Sequence, residues 1–368
     1  MKRGQANYYQ NVLSRHEVDR VITTMHPKYP DVFLTNANRE VKHTEYTYPS
    51  GLIDAGRIYS EFSEGGTIVM SNLELHVSAL ADLCRSLERE LSARFQANIY
   101  LTPGGHSQGF NRHWDSHDVF VVQVEGSKRW RVYDTPVVLP LPGEAFDPRN
   151  APPSASPDAK PSMDFVLEAG DVFYLPRGMM HDAVSTDSHS LHITIGMFGV
   201  SWAELLIEAV AKVGVKHKQM RRSLPAGFAQ PGFDRGPSRA EFAELTKLVL
   251  AEIDFDSALG HFADDLVSSR HSLLHGQLEQ IMRLPELSAE SSVGARANLL
   301  YHLHHDEDHV YISCYGGQMQ LPLHAREALE YALSNERFTI KDVPGELDDA
   351  GAVVLIQRLI REGLVIQH

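Results

Sequence analysis

Between residues 98 and 198 the chain is a succession of short segments rich in β-branched and aromatic residues: NIYLT, DVFVVQV, KRWRVYD, MDFVLEAGDVFYLP and SLHITIGMF. Glycine, proline and aspartate separate them, which is the punctuation of strands rather than of helices. Short strands with such punctuation between them predict a barrel or sandwich. One interruption is long. From Pro136 to Pro161 the chain is proline-rich (LPLPGEAFDPRNAPPSASPDAKP from residue 139), and proline has no amide proton for a ladder or a helix, so a surface loop between two strands is expected.

Helical periodicity flanks this block. Residues 76–95 (HVSALADLCRSLERELSARF) place Val77, Leu80, Leu83, Leu87 and Leu91 at spacings of three and four with charges between, which predicts a helix packed on a core. Past residue 201 the period returns in SWAELLIEAVAKVG, SRAEFAELTKLVLAEI and HSLLHGQLEQIMRL, predicting an all-helical stretch to about 290. The tail then mixes strands (HVYISCYG, QMQLPL, LVIQH) with helices (HAREALEYALS, DAGAVVLIQRLIREG), an order that resembles a winged-helix module. Three domains are expected on this basis, 1–200, 201–295 and 296–368, in an α+β chain.

Charge and composition exclude several classes. Net charge is −14, so the surface as a whole repels nucleic acid. Residues 297–368 hold 5 Lys and Arg against 11 Asp and Glu, a net of −6, which opposes DNA binding by the winged-helix-like tail. The one basic cluster, Lys212, Lys216, Lys218, Arg221 and Arg222, reads as a solvated helix face. No apolar run reaches the ~20 residues that cross a bilayer, and the first 20 residues lack the apolar core of a secretory signal. With only two cysteines, Cys84 and Cys314, a disulfide framework or thiolate zinc site is not expected, and a cytoplasmic protein follows.

Chemistry concentrates in two places. In NRHWDSHDVFVVQV, His113 and Asp115 are two residues apart ahead of a strand, so in extended chain both side chains project from one face. By itself such a pair can merely share a hydrogen bond in a loop. In EAGDVFYLPRGMMHDAV a turn, a strand and a second turn lead to His181. Two imidazoles and one carboxylate can occupy one face of an octahedron and leave three positions open, the arrangement used by non-haem Fe(II) oxygenases. His117 shares the parity of His113 and Asp115 if the chain runs straight, and is placed beside the site rather than in it.

The segments NIYLTP (98–103), SQG (107–109), HWD (113–115), DVFVVQVEGSKRW (118–130) and GDVFYLPRGMMH (170–181) resemble the JmjC-type cupins known as ribosomal oxygenases, which are 2-oxoglutarate-dependent protein hydroxylases. The resemblance implies a double-stranded β-helix (JmjC/cupin) catalytic domain over 1–200, a helical dimerisation domain over 201–295 and a winged-helix-like domain over 296–368. It implies that His113, Asp115 and His181 ligate Fe(II), that Lys128 binds the distal carboxylate of 2-oxoglutarate with Tyr100 hydrogen-bonding the same group, and that Asn98 and Thr194 line the pocket. No catalytic residue beyond the metal centre is required. The chain departs from the family pattern in a one-residue-longer segment between Thr102 and His113, in Asn111-Arg112 where a proline is common, in Gly196 where some members carry serine, and in a shorter N-terminus.

The implied reaction is hydroxylation of a residue, at the β-carbon, in a protein or peptide that with O2 and 2-oxoglutarate completes the substrate set; a ribosomal protein is one such substrate. A biosynthetic peptide is the alternative substrate, and a non-enzymatic dimeric cupin scaffold the alternative role. The apolar positions of the helical segment (Leu205, Leu206, Ala209, Val210, Val213, Leu245, Leu248, Val249, Ile253) fit a homodimer. No membrane or nucleic-acid partner is expected.

Overall fold

In RFQANIYLT (94–102) burial alternates along the chain: Phe95, Ala97 and Ile99 are buried in the apolar core while Gln96, Asn98 and Tyr100 face the other way. That period of two makes the segment a strand with two chemically distinct sides. The computed structural model describes residues 1–134 and 137–368, so Pro136 at the head of the proline-rich stretch lies outside the described residues. It divides into two compact units, 1–199 and 200–368.

The first unit runs α1 (Arg15–Thr24), β1 (Val32–Thr35), α2 (Ala55–Ser63), β2 (Thr67–Met70), α3 (Ser78–Leu91), β3 (Arg94–Thr102), β4 (Asp118–Val132), β5 (Met163–Glu168), β6 (Val172–Leu175) and β7 (His181–Phe198). Helix α3 is shorter than the sequence predicts. Ser92 adopts a left-handed conformation (φ 49°) that ends the helix, and residues 94 and 95 already belong to β3. The strands join in the order β1-β2-β3-β7-β4-β5, with β6 also on β4, and every pairing is antiparallel.

Two strands are longer than their sequence segments suggest. DVFVVQV and KRWRVYD fuse into the 15-residue β4, and SLHITIGMF is the end of the 18-residue β7. The two pair from Asp118 opposite Met197 to Val132 opposite His181, with register shifts between Gln123 and Glu125 and between Gly126 and Lys128. Gly126 sits at the bend with φ +64°, and a Cβ there would lie 1.8 Å from the His189 carbonyl oxygen, so only glycine is accommodated. The first half of β4 pairs with β6 and the second half with β5, which rolls the sheet around an interior. One face of β3 and β7, carrying Ala97, Ile99, Leu191, Ile193 and Ile195, packs with Val18, Val21 and Ile22 of α1 and Leu80 and Cys84 of α3. Each fully buried aliphatic contributes about 1.5–3 kcal/mol, so this face anchors the sheet and leaves the opposite one free to carry polar groups.

In the second unit, α4 (Trp202–Lys216), α5 (Gly236–Glu252), α6 (Phe255–Ser268) and α7 (Gln277–Arg283) precede β8 (Ser292–Ala295), β9 (His302–His305), β10 (His309–Cys314), β11 (Gly317–Pro322), α8 (Arg326–Ser334), β12 (Phe338–Thr339), α9 (Asp349–Arg361) and β13 (Val365–Gln367). Residues 271–276, expected within a helix, lie outside α7 because Gly276 takes φ +73° at its start. Two three-stranded sheets form, β11-β10-β9 and β12-β8-β13. Ala328, Leu329, Ile356, Leu359 and Ile360 of α8 and α9 pack with Val293 of β8 and Ile312 of β10 in one core.

Candidate metal centre

His113 and Asp115 lie in the extended segment entering β4, and His181 opens β7. The His181 N–H donates to the His113 carbonyl at 2.8 Å and the return bond measures 3.1 Å, so the two histidines face each other as a single antiparallel bridge. Alternation turns Trp114 to the other side, where it packs with Tyr133, Met180 and Phe146. His113 and Asp115 therefore share a face, as their spacing predicts.

His113 Nε2 is 3.8 Å from Asp115 Oδ1, and His181 Nε2 is 3.8 Å from Asp115 Oδ2. One ligand atom from each residue falls within 4.8 Å of the others, and among the described residues no other such group of three His, Cys, Asp or Glu occurs. Separations of 3.8 Å are too long for hydrogen bonds, yet one ion with bonds of about 2.0–2.2 Å can bridge them. Both rings are held for this. The Nδ1 of His113 lies 2.7 Å from the Asn111 carbonyl and that of His181 3.0 Å from the Met179 carbonyl; a carbonyl can only accept, so each Nδ1 carries the proton and each Nε2 presents a lone pair. Burial, reinforced by His113, pushes the His181 pKa down to about 4 and keeps it a neutral ligand at physiological pH.

A second polar feature lies on the same face. After the Gly126 bend, Lys128 is buried, and its ammonium donates to Thr102 Oγ1 at 3.1 Å; Thr67 Oγ1 donates to the same oxygen at 3.1 Å. Burial pushes the Lys128 pKa down to about 7. A hydroxyl cannot balance a buried cation, and beside it the Nδ1 of buried His192 has no hydrogen-bond partner among the described residues. Burial first, then the Lys128 charge, hold His192 well below its usual pKa, so the ring stays neutral. A dicarboxylate fits these donors: one carboxylate would meet Lys128, leaving its other end for the metal trio.

Aromatic rings line the space between. Tyr100 stacks on His192 at 4.9 Å with planes 5° apart, and Trp130 lies 5.8 Å from the His181 ring and 5.7 Å from that of His192. Burial and the charge of Asp115 push the Tyr100 phenol pKa up, so it remains a hydrogen-bond donor. Asn98 and Thr194 face each other across β3 and β7 on this side. The Asn98 side-chain Oδ1 accepts from the Asn72 N–H at 3.2 Å and from Gln96 Nε2 at 2.9 Å. His117 stands apart from the trio, stacked on Phe198 at 4.5 Å, and a Cβ on Gly196 would lie 2.9 Å from its ring. Thr67, Thr102, Trp130 and His192 escape a reading by motif. Alternation from Asn98 and Tyr100 to Thr102, and from Thr194 back to His192, is the signal that finds two of them.

Residues 72–205 match the family model described as the JmjC domain. The chain is 33% identical over 234 residues to the bifunctional lysine-specific demethylase and histidyl-hydroxylase NO66 of Drosophila grimshawi, covering 62% of this chain and 32% of that protein. It is 34% identical over 242 residues to ribosomal oxygenase 1 of Danio rerio, covering 62% of this chain and 42% of that one. The chain thus spans about a third to two fifths of the length of these relatives. Its fold is similar to that of YcfD, a ribosomal oxygenase from Escherichia coli solved in complex with cobalt and 2-oxoglutarate, at a TM-score of 0.55 and 19% identity over 97% of this chain and 91% of that one.

Proposed function

The chain belongs to the JmjC-type cupin family of ribosomal oxygenases, and from that premise we propose that it is an Fe(II)- and 2-oxoglutarate-dependent oxygenase that hydroxylates a residue of a protein at its β-carbon. The observation that carries the reading is the pairing of two sites on one barrel face: a trio of ligand atoms within 4.8 Å and a buried ammonium whose one partner among the described residues is a hydroxyl. His113, Asp115 and His181 hold the metal through Nε2, a carboxylate oxygen and Nε2. Lys128 anchors the far carboxylate of 2-oxoglutarate, Tyr100 donates to that end, and Asn98 and Thr194 border it. When bound, Fe(II) and 2-oxoglutarate supply the oxidation of a C–H bond by O2, with succinate and carbon dioxide released.

The residues do the rest. Neutral His181 leaves the centre a single negative ligand charge from Asp115, so a divalent ion is only partly neutralised and can accept an anionic chelate. Tyr100, His192 and Trp130 wall off water between the two ends and fix the direction in which the dicarboxylate lies. No side-chain nucleophile is used.

A protein substrate, with a ribosomal protein as the first candidate, is supported by the names of the matched relatives. The exposed Trp202, Ile207, Phe242, Leu250 and Phe255 of α4, α5 and α6, together with the absence of any buried residue in α5, support a homodimer formed through these helices. The sheet β12-β8-β13 with α8 and α9 supports a winged-helix-like contact module for the expected 296–368 that also takes in β8 (Ser292–Ala295) just ahead of it. No helix among the described residues is long and apolar enough to cross a membrane, and a cytoplasmic location is part of the proposal. The deciding experiment incubates the protein with Fe(II), 2-oxoglutarate and either ribosomes or candidate peptides. Succinate release with a mass gain of one oxygen on a ribosomal protein is expected. Turnover on peptides alone would reassign the substrate, and no turnover on either would overturn the reading.

A further inference from the structure

Behind the metal trio, on the side facing away from it, lies a connected network around the buried Asp182 that the proposed chemistry does not use. Arg112 immediately precedes His113 and Asp182 immediately follows His181, so strand alternation turns both side chains to the outer side of the His113–His181 bridge. There Arg112 Nε donates to Asp182 Oδ2 at 3.0 Å, and Arg131 Nε donates to Asp182 Oδ1 at 2.6 Å. Tyr133 donates its hydroxyl proton to Asp182 Oδ2 at 3.0 Å and accepts from Arg112 Nη2 at 2.6 Å. The guanidinium also sits over the Tyr133 ring, 3.5 Å from its centroid. Asp182 is buried with both carboxylate oxygens engaged, while Arg112 and Arg131 reach it from part-buried positions.

Arg112 has one more hand. Its Nη1 donates to the carbonyls of Ser154 and Ser156 at 3.0 and 2.5 Å, both within the proline-rich loop. The same loop leans on the ligand-bearing segments elsewhere: Phe146, Ala155 and Ala159 pack on Trp114, Tyr133 and Met180, and Trp114 Nε1 donates to the Glu144 carbonyl at 3.3 Å. Trp114 lies between His113 and Asp115, and Met180 adjoins His181.

We propose that Arg112 is a positioning residue that locks the His113–His181 pairing from behind through Asp182, and that makes docking of the proline-rich loop a condition of a well-formed metal centre. The inference rests on the metal reading of the trio. A guanidinium is needed because only its planar fork reaches a carboxylate, a phenol and two carbonyls together; lysine has charge but a single nitrogen.

The test is Co(II) titration of the full chain, followed by the d–d absorption spectrum, for the wild type, Arg112→Met, Arg112→Lys and His181→Ala. Wild type binding one Co(II) and His181→Ala binding it more than ~100-fold more weakly establishes the centre independently of Arg112; if the wild type takes up no Co(II), it is the metal reading that fails. Outer-shell changes cost about 10–100-fold in metal affinity, so Arg112→Met is expected to bind at least about tenfold more weakly with an altered spectrum, and Arg112→Lys to recover part of the loss. Arg112→Lys keeps the charge opposite Asp182 and decides the matter alone if Arg112→Met does not fold. Wild-type affinity and spectrum in either variant would overturn the positioning role. Trypsin cleavage after Arg149 reads the loop: Co(II) should slow it in the wild type and not in Arg112→Lys, and a rate indifferent to Co(II) in the wild type would refute the coupling.

Discussion

The ring of Tyr100 lies flat on that of His192, centroids 4.9 Å apart and planes 5° from parallel, on strands that pair residue for residue. This stack forms one wall of the space that separates the metal trio from the Lys128 ammonium. It keeps the imidazole out of water, and with Lys128 beside it His192 cannot carry a charge. The polar end of the site is thus built around one lysine that meets no carboxylate among the described residues.

That arrangement predicts a pH dependence. With its pKa near 7, Lys128 is charged in both the folded and the unfolded chain below pH 7, and the cost of its burial is then carried in full. Between about 7 and the ordinary 10.5 the unfolded chain binds a proton that the folded one lacks, so the metal-free protein gains stability as pH rises through that window. In the proposed role, 2-oxoglutarate requires the charged form. Its affinity should fall by up to tenfold per pH unit above 7, and calorimetry at pH 8 in buffers of different ionisation enthalpy should show uptake of close to one proton. Lys128→Met should abolish both effects, weaken 2-oxoglutarate binding and raise the melting temperature of the metal-free protein by a few degrees. Unchanged affinity for the co-substrate would remove Lys128 from its role.

Removing a ligand and removing its neighbour should have opposite results. His181→Ala is expected to bind Fe(II) or Co(II) more than ~100-fold more weakly, beyond what outer-shell changes cost, and to release no succinate while keeping its far-UV spectrum. His117→Ala, which loses only a stack on Phe198, should retain one metal per chain. Metal loss in the His117 variant would redraw the ligand set.

The bend in β4 tolerates no side chain. Gly126→Ala meets the His189 carbonyl and a left-handed backbone at once, and a destabilisation of about 2–5 kcal/mol should follow, measured by chemical denaturation. A variant within 1 kcal/mol of the wild type would show that the bulge relaxes.

The exposed apolar face of the second unit should govern assembly. Phe242→Glu together with Leu250→Glu should halve the mass seen by light scattering and leave metal binding at the wild-type level. A wild type that is already monomeric at micromolar concentration would dispose of the dimer.

Much of the site is legible in the sequence because strand alternation is a local rule. His113 and Asp115 share a face by spacing alone, and the turn before His181 marks where the next strand begins. His117 shows where the rule stops, since the chain bends at residues 116 and 117 and carries its ring over Gly196 rather than toward the trio. The two segments of β4 look separate because Gly126 and Ser127 interrupt the β-branched run, whereas the bulge keeps the ladder continuous. Alternation puts Thr102 and His192 on the site's face, but that they meet Lys128 and Tyr100 follows only from cross-strand packing, and Arg112 acquires meaning only through Asp182, 70 residues further on. Contacts of that range are decided by packing, which no local pattern encodes.

The main-chain bridge between His113 and His181 has a last consequence. Because a pair of main-chain hydrogen bonds, rather than an ion, sets the spacing of the two imidazoles, the proposed centre would be a socket that can be emptied and refilled without unravelling its surroundings. Iron lost to a chelator or to oxidation would be replaceable on a folded template, so occupancy would follow the supply of ferrous ion instead of the history of the chain's folding.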